Sequence, residues 1–229
     1  MKRWLDQFSM PDFPPTSQAR DPFGLLAIGG PVKPLWLDQA YRRGIFPWNG
    51  PNDPRCWHTP NPRAVITANS FHIPKSVKKL LKKPHRVTCN LAFTQVMQNC
   101  AAPRDKSRST WISQEMIQSY SRLHAAGRAF SGEHWNANGE LIGGFYGLII
   151  GRAFFGESMF SHESNASKIA FATIAPLLFE QGIELIDCQM KTPHLAQFGI
   201  EMLEREKFES ILKQAVSQPS LSPLISVVA

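Results

Sequence analysis

The sequence predicts an α+β protein with a small N-terminal domain and a larger C-terminal domain built on a mixed sheet. Two observations favour this arrangement. Prolines and aromatic residues crowd positions 45–63, which indicates a structured loop region that closes the small domain. From residue 128 onward the apolar residues change from helical spacing to alternating or continuous runs, which are typical of strands. We therefore expect residues 1–63 in the first domain and residues 64–229 in the second.

The N-terminal domain shows one clear helix. Residues 1–22 are rich in Pro, Ser and Asp without periodicity, so we expect an extended arm there, followed by a turn-rich apolar segment at 24–31. Proline suits the first turn of a helix and glycine its end, so the next helix should begin at Pro34 and end at Gly44. Residues 45–63 are expected to form no regular element, because proline interrupts both helices and strands.

The C-terminal domain should begin with a short strand at Val65 and a lysine-rich helix. Val77, Leu80 and Leu81 recur at helical spacing, so one face of this helix is buried while its lysines project together. Pro84 ends it. The further expected elements are a strand at 86–91, a helix at 93–101, a basic loop at 104–109 and a helix capped by Ser113 and closed by Gly127.

Three antiparallel strands should follow, at 129–135, 141–150 and 152–155. A long apolar helix capped by Ser164 or Asn165 then runs to Glu180. The remaining expected elements are a buried strand at 183–188, a helical turn at 194–198, a strand at 202–205 and a helix at 208–215.

Positive charge is concentrated in one segment. Between Pro54 and Arg104 there are nine Lys and Arg but no Asp or Glu, so this segment carries more than the whole formal charge of +7. A lysine-rich helix face is usually only solvated, yet so local an excess is also the footprint of a protein that binds a phosphate backbone. The residues expected to contact RNA are Lys75, Lys78, Lys79, Lys82, Lys83 and Arg86.

Cysteine usage and hydropathy exclude several classes of protein. The four cysteines form no Cys-x-x-Cys pair and show no ligand spacing with histidine, so we expect reduced thiols in a cytoplasmic protein and no metal site. We also expect no signal peptide and no contact with the membrane, because no run approaches the roughly 20 apolar residues of a membrane span.

Three polar side chains lie in two of the most apolar runs of the chain: Glu157, Asp187 and Gln189. An unpaired polar group in such surroundings costs on the order of 2 to 7 kcal/mol, so each needs either a partner or a function. Ligands tend to bind at the carboxyl ends of strands where the topology of a sheet changes. We expect Glu157 just past the third antiparallel strand and the other two at the end of the next strand, facing one crevice.

Large apolar side chains surround these polar groups in the sequence and could line a pocket: Phe145, Phe154, Phe155, Met159, Phe160, Phe171 and Leu178. Each is more often a core residue, and a single acid at a strand end is more often a cap or an ion-pair partner. Three polar groups at the mouth of one apolar pocket, beside a basic segment, favour a functional site.

The order of the elements resembles the acetyltransferase (GNAT-like) fold, which binds acyl coenzyme A. That fold usually holds the pyrophosphate on a Gln/Arg-x-x-Gly-x-Gly/Ala loop before its long helix. The corresponding segment here, residues 156–168, contains two acids and no such loop. Coenzyme A is therefore not expected as a ligand.

Six motifs resemble those of the leucyl/phenylalanyl-tRNA-protein transferase family, over roughly residues 22–205. They are Gly-Ile-Phe-Pro-Trp (44–48), Asn-Pro-Arg-Ala-Val (61–65), Thr-Trp-Ile (110–112), Phe-Gly-Glu-Ser-Met-Phe-Ser (155–161), Asn-Ala-Ser-Lys (165–168) and Leu-Ile-Asp-Cys-Gln (185–189). The resemblance implies a cytoplasmic, monomeric bacterial enzyme without a cofactor. It would transfer Leu or Phe, with Met left open, from aminoacyl-tRNA (Leu-tRNA, Phe-tRNA) to proteins that begin with Arg or Lys, marking them for degradation in the N-degron pathway.

The resemblance also gives the residues roles. Trp48 and Trp111, with Tyr41 as a weaker third, would stack on the terminal adenosine, since stacking on aromatic rings needs no base-edge code. Glu157 would hold the cationic N-terminal residue of the acceptor.

For the reaction, Asp187 would orient Gln189 and favour loss of a proton from the attacking amine, while Gln189 positions the amine and the ester carbonyl. The ribose hydroxyl of the donor could carry the proton instead. Two other functions stay open: a peptidoglycan-type aminoacyl-tRNA transferase, which shares donor and fold but not acceptor, and a non-enzymatic RNA-binding module.

Overall fold

The computed structural model describes residues 3–6, 10–50, 53–103 and 110–221, and arranges its strands in two sheets. The strands are β1 (Arg3–Leu5), β2 (Leu25–Gly29), β3 (Phe46–Pro47), β4 (Cys56–His58), β5 (Arg63–Ile66), β6 (Arg86–Cys89), β7 (Ala129–Trp135), β8 (Leu141–Ile150), β9 (Ala153–Ser161), β10 (Leu185–Gln189) and β11 (Glu201–Leu203). The helices are α1 (Pro34–Tyr41), α2 (Lys75–Leu80), α3 (Phe93–Ala101), α4 (Gln114–Ala125), α5 (Ala166–Glu180), α6 (Pro193–Ala196) and α7 (Arg205–Ser217). The basic loop predicted at 104–109 lies outside the described residues.

The first sheet has the order β1-β2-β4-β3 and lies where the sequence predicted an arm and irregular loops. β1 pairs with β2 in parallel, and β4 pairs with β2 and β3 in antiparallel fashion. The prediction that residues 45–63 form no regular element is therefore wrong. Pro47 is tolerated in β3 because β3 is an edge strand, where one face of the backbone needs no ladder hydrogen bond.

The second sheet has the order β11-β5-β10-β9-β8-β7-β6. β9 and β10 are parallel neighbours joined through α5, whereas the other pairs are antiparallel, so the predicted mixed sheet is confirmed. The predicted bounds of α3, β7 and β8 agree with those observed, and the predicted cap of α4 is present, since the Ser113 side chain accepts a hydrogen bond from the Met116 N–H.

Two details of the prediction are wrong in ways that matter for the site. β9 continues to Ser161, so Glu157 lies inside the strand rather than past its end. Asn165 occupies the position before α5, but its side chain makes no capping hydrogen bond and its backbone is left-handed, with φ of 65°.

One of the two hydrophobic clusters of the described residues spans both sheets. The first sheet ends with β4, and the second begins with Arg63, so Arg63 belongs to the larger sheet and not to the N-terminal part as predicted. Buried residues of the N-terminal part, including Tyr41 and Trp57, pack in the same cluster as Phe155 and Phe208. The division into two domains therefore stays a prediction. No helix within the described ranges has the length and apolar character needed to cross a membrane.

Candidate active site

Two β-bulges on neighbouring strands bring the polar residues of the site together. On β9, Gly156 and Ser158 pair with consecutive residues of β8, which leaves Glu157 as the extra residue. On β10, Asp187 and Gln189 pair with consecutive residues of β5, which leaves the residue between them unpaired. Gln189 takes a left-handed backbone, with φ of 63°, which residues other than glycine seldom adopt.

The bulged strands place Glu157 and Gln189 side by side. The Gln189 amide donates a hydrogen bond from Nε2 to the Glu157 carboxylate at 3.0 Å. Both residues line a cavity of about 780 Å³. The predicted meeting of these two side chains in one crevice is thus confirmed.

The wall of this cavity is largely apolar. The predicted residues Phe145, Phe154, Met159, Phe160 and Phe171 line it, together with Ile186. Trp48 and Trp111 also lie at the cavity, so both predicted stacking residues are within its lining. A further polar part of the lining includes Ser161, Ser167 and His194, of which the two serine hydroxyls are hydrogen bonded at 2.7 Å.

Phe155 and Leu178 do not line the cavity, contrary to the prediction. Successive side chains of a strand point to opposite faces, so Phe154 faces the cavity and Phe155 faces the other side of the sheet. There Phe155 is fully buried, with its ring 5.1 Å from that of Tyr41. Leu178 lies within the core on α5.

Tyr41 is also misplaced by the sequence prediction. It has no exposed surface, so its ring does not offer a face to a nucleotide base. Its hydroxyl instead donates to Oε1 of Glu157, while the hydroxyl of Tyr120 donates to Oε2 at 3.0 Å. The two hydroxyls lie 2.8 Å apart. Burial raises the pKa of both tyrosines well above the ordinary value, so both remain protonated donors at neutral pH.

The carboxyl of Glu157 is poised near neutral pH. Burial raises its pKa to about 7, against the opposing effect of the hydrogen bonds from Tyr41, Tyr120 and Gln189. A carboxyl with this pKa is partly protonated and partly ionised at pH 7. It can therefore accept a proton as well as hold a cation.

Asp187 has a different environment, and the expectation that its carboxylate faces the crevice is wrong. Its side chain has no exposed surface and is not part of the cavity lining. The guanidinium of Arg63 binds it in a bidentate manner, with Nε–Oδ1 at 2.8 Å and Nη2–Oδ2 at 2.7 Å. Oδ1 also accepts the backbone N–H of Gln189 at 2.8 Å, whereas the orienting role expected of Asp187 in the reaction stays a prediction.

Among the residues that the sequence analysis missed are two that bind the acids of the site, Arg63 and Tyr120. The Arg63 guanidinium is fully buried between the rings of Phe46 and Phe208, each 4.8 Å from it. The sequence contains a feature that could have identified Arg63, because an arginine followed by Ala-Val-Ile in a buried strand requires an acidic partner. For Tyr120 the only signal was its place on the apolar face of α4.

The basic residues form a solvent-exposed surface on and after α2. The six predicted RNA contacts are all exposed: Lys75, Lys78, Lys79, Lys82, Lys83 and Arg86. In the part of the chain that the structure describes, no acidic side chain forms an ion pair with any of the six. Val77 anchors α2 in the core cluster that also contains Phe171 of the cavity wall. Contact with RNA stays a prediction.

A metal site finds no support in the described residues, since no group of three or more His, Cys, Asp or Glu within them could hold an ion.

The comparisons with known proteins agree with the motifs. The leucyl/phenylalanyl-tRNA protein transferase family matches residues 65–213, and the N-terminal domain of that family matches residues 30–61.

Several curated relatives are similar over almost their whole length. The leucyl/phenylalanyl-tRNA–protein transferase of Nitrosomonas eutropha is 49% identical over 214 residues, which cover 93% of this chain and 91% of the relative. The protein of the same name from Cellvibrio japonicus is 46% identical over 223 residues, covering 96% and 94%. Among solved structures, L-PGS from Bacillus licheniformis gives a TM-score of 0.39 at 10% identity, over 77% of this chain and 59% of that one. That likeness is too low to bear on function.

Proposed function

The chain belongs to the leucyl/phenylalanyl-tRNA–protein transferase family, and we propose that it transfers Leu or Phe to the α-amino group of proteins that begin with Arg or Lys. It is an aminoacyltransferase with an aminoacyl-tRNA as donor and a protein as acceptor. The observation that carries the substrate assignment is the pairing of Glu157 with Gln189 beside an apolar cavity.

The cavity suits the side chain of the donor amino acid. Its apolar wall combines aromatic rings with Met159 and Ile186, and these residues can enclose a branched aliphatic or an aromatic group. A hydrophobic pocket distinguishes ligands by only about 1 to 3 kcal/mol per methylene, so the preference for Leu and Phe should be graded. The same reasoning leaves Met as a third donor.

The reaction needs an amine that can attack the ester of the donor. The amine nitrogen forms a bond to the carbonyl carbon, the bond from that carbon to the ribose oxygen breaks, and the oxygen leaves as a hydroxyl. An N-terminal ammonium must lose a proton before it attacks, and Glu157, whose pKa lies at about 7, is an ionisable group of the cavity that stands beside Gln189. We propose that Glu157 binds the cationic acceptor and accepts this proton.

Gln189 positions the reacting groups. Its backbone is fixed by the hydrogen bond to buried Asp187, and its side-chain amide is fixed by the bond to Glu157. Asp187 acts through Gln189, because both of its oxygens are occupied by Arg63. The leaving ribose oxygen can take its proton from the amine nitrogen as the tetrahedral intermediate collapses. The reaction then balances without a metal or a cofactor.

The donor tRNA would be held at two places. Trp48 and Trp111 at the cavity offer rings for the terminal adenosine, and stacking of one base on an aromatic ring is worth about 1 to 3 kcal/mol. The exposed basic surface on α2 would contact phosphates without reading the sequence, as is usual for helical RNA. A charged tRNA as donor places the reaction in the cytoplasm, where the monomeric enzyme would mark its acceptors for degradation in the N-degron pathway.

A transfer assay tests the proposal. The protein is incubated with labelled Phe-tRNA and with three peptides that differ only in the first residue: Arg, Lys or Ala. We expect label on the Arg and Lys peptides and little on the Ala peptide. Binding of tRNA with transfer to none of the peptides would overturn the proposal and favour an RNA-binding module. Transfer to a peptidoglycan precursor in place of the peptides would favour the other class of aminoacyl-tRNA transferase.

A further inference from the structure

Phe23 is an exposed aromatic residue beside the cavity that the proposed reaction does not use. Its side chain is 59% exposed, and its ring centroid lies 6.2 Å from that of Trp48, a residue of the cavity lining. Single exposed hydrophobic side chains are common on protein surfaces. Phe23 differs from these because it extends the aromatic surface of the cavity outward.

The turn that carries Phe23 is held firmly. Oδ1 of Asp21 accepts the backbone N–H groups of Phe23 and Leu25, each at 3.1 Å. Gly24 follows with φ of 68°, and a Cβ there would lie 2.3 Å from the carbonyl of Thr59, so only glycine fits. The chain therefore presents Phe23 at a defined position.

His58 connects this turn to Trp48. Its Nδ1 lies 3.0 Å from the carbonyl oxygen of Phe23, and its ring packs edge-on against Trp48 with the centroids 5.5 Å apart. The rings of Phe23 and Trp48 are thus joined through a buried side chain. Little side-chain entropy would be lost when a ligand binds to them.

The geometry shows that the two rings cannot hold one base between them. A base sandwiched between two rings requires parallel planes and a separation of roughly 7 Å, which is twice the van der Waals contact distance. The planes of Phe23 and Trp48 are inclined by 53°, and the centroids are 6.2 Å apart. Each ring can therefore offer one face to a different base.

We propose that Phe23 is a stacking surface for the base of the nucleotide that precedes the 3′-terminal adenosine of the donor tRNA. This inference rests on the proposed function, in which the terminal adenosine lies against Trp48 and Trp111. The next nucleotide must leave the cavity along its rim, and Phe23 is the exposed ring that adjoins Trp48 there. Stacking on one aromatic face is tolerant of sequence and needs no further hydrogen-bonding group.

A nucleotide fits this surface better than the acceptor protein does. An acceptor that begins with Arg or Lys would approach Glu157 on β9, whereas Phe23 precedes β2 of the other sheet. The nearest carboxylate in the turn, that of Asp21, is engaged with backbone N–H groups. The exposed ring is apolar and uncharged, which suits a base better than a cationic side chain.

The test compares two small donors that differ by one nucleotide. One is adenosine esterified with Phe, and the other is the dinucleotide cytidylyl-adenosine esterified with Phe at the same position. Both are assayed with a peptide that begins with Arg, using the unchanged protein, Phe23→Ala, Phe23→Trp and the control Leu91→Ala. Leu91 is also 59% exposed and does not line the cavity.

We expect the added cytidine to lower the KM of the unchanged protein roughly tenfold, as stacking on one ring predicts. In Phe23→Ala the added cytidine should no longer lower the KM, and the KM for the adenosine donor should stay within about twofold of that of the unchanged protein. In Phe23→Trp and Leu91→Ala the cytidine should still lower the KM, a gain in apparent affinity. A gain that persists in Phe23→Ala would overturn the inference, because it would come from the added phosphate alone. An increase in KM for the peptide in Phe23→Ala would assign the ring to the acceptor. Absence of transfer by the unchanged protein from either donor and from Phe-tRNA would instead contradict the proposed function.

Discussion

The two carboxylates of the site have opposite environments, and this difference separates their roles. Within the described residues, the side chains that bind Glu157 are the neutral donors Tyr41, Tyr120 and Gln189, and burial brings its pKa to about 7. Asp187 is bound by the full positive charge of Arg63 and has no exposed surface. Pairs of acids in unlike environments commonly divide the work of a site. Here Glu157 is suited to exchange a proton with the acceptor, while Asp187 holds the backbone that carries Gln189.

The pKa of Glu157 predicts a pH dependence of the transfer rate. The ionised carboxylate is the form that accepts a proton, so kcat should rise as the pH increases through about 7. Glu157→Gln should lower kcat on the order of a hundredfold, which is typical of losing a general base. It should also abolish the rise of kcat through about pH 7. The acceptor amine titrates at about 7.7 to 8, so the rise of kcat that comes from the amine should remain. The pH dependence is measured from single-turnover rates between about pH 5.5 and 8.5, with Glu180→Gln at an exposed position as the control. An unchanged profile in Glu157→Gln would exclude the carboxyl as the proton acceptor.

The buried ion pair predicts strong coupling between two substitutions. Removing one partner leaves a buried charge unpaired, so Arg63→Met and Asp187→Asn should each destabilise the fold by about 3 to 5 kcal/mol. The double variant should be destabilised by clearly less than the sum, since neither charge is left alone. Urea unfolding of the four proteins gives the coupling energy. Additive losses would show that the pair contributes no specific interaction.

The same variants separate a positioning role of Asp187 from a chemical one. The amide oxygen of an asparagine at this position can still accept the Gln189 N–H, so the double variant should regain part of the transfer activity that Asp187→Asn loses. Activity is compared at a temperature where all four proteins are folded. If the double variant were as inactive as Asp187→Asn although both proteins are folded, the charge of Asp187 would itself be needed for the reaction.

At the level of single elements, the regular helices and long strands could be predicted from the sequence, and the bulges could not. The bounds of α3, β7 and β8 follow from periodicity, and α4 follows from its cap at Ser113, all of which are local signals. β9 was ended too early because Gly-Glu-Ser at 156–158 interrupts its apolar run, and that interruption is the bulge itself. β1 and β3 are two or three residues long and exist only through pairing with distant strands.

The same limit applies to the candidate site. Glu157 and Gln189 stand out as polar groups in apolar runs, and their meeting follows from adjacent strands. The pairing of Arg63 with Asp187 joins residues 124 positions apart, so it depends on which strands become neighbours. Phe155 was misassigned because the alternation of a strand fixes two faces but does not say which face lines the cavity.

The exposed lysines of α2 and the turn after it predict a salt-dependent affinity for tRNA. Each phosphate contact that releases a counterion adds roughly 0.7 to 0.9 to the slope of log K against log salt concentration. Replacing Lys79 and Lys83 together with alanine should therefore reduce the magnitude of this slope by about 1.5. Filter binding of uncharged tRNA at four or more salt concentrations measures the change. Lys207 and Lys213 on α7 are exposed lysines for a matched double control. Equal slopes for the two double variants would remove α2 from the tRNA surface.

For the whole molecule, the site is assembled from residues of both ends of the chain. Tyr41 of α1 binds Glu157 of β9, and Phe46 of β3 packs against the Arg63 guanidinium, as Phe208 of α7 does. Trp48 adds a ring to the cavity. The N-terminal part thus supplies hydrogen bonds and apolar cover to the buried charges of the larger sheet, not only a surface for the donor.

This arrangement predicts that the chain does not fold as two independent domains. A protein that begins at Arg63 would lose the hydroxyl of Tyr41 from Glu157 and the ring of Phe46 from the buried guanidinium, leaving both polar groups poorly satisfied. We expect residues 63–229 alone to show no cooperative thermal unfolding, since a domain needs its own closed core.

The measurement compares three samples: residues 63–229 alone, the same piece expressed together with residues 1–62, and the full chain. The two pieces should co-purify and recover transfer, because the cut falls between the sheets and breaks no strand. Cooperative unfolding of residues 63–229 alone, within a few degrees of the full chain, would contradict the shared core and support two separate domains. In that case the N-terminal part would be needed only for Trp48 and the donor, and adding it back should lower KM without changing the melting temperature.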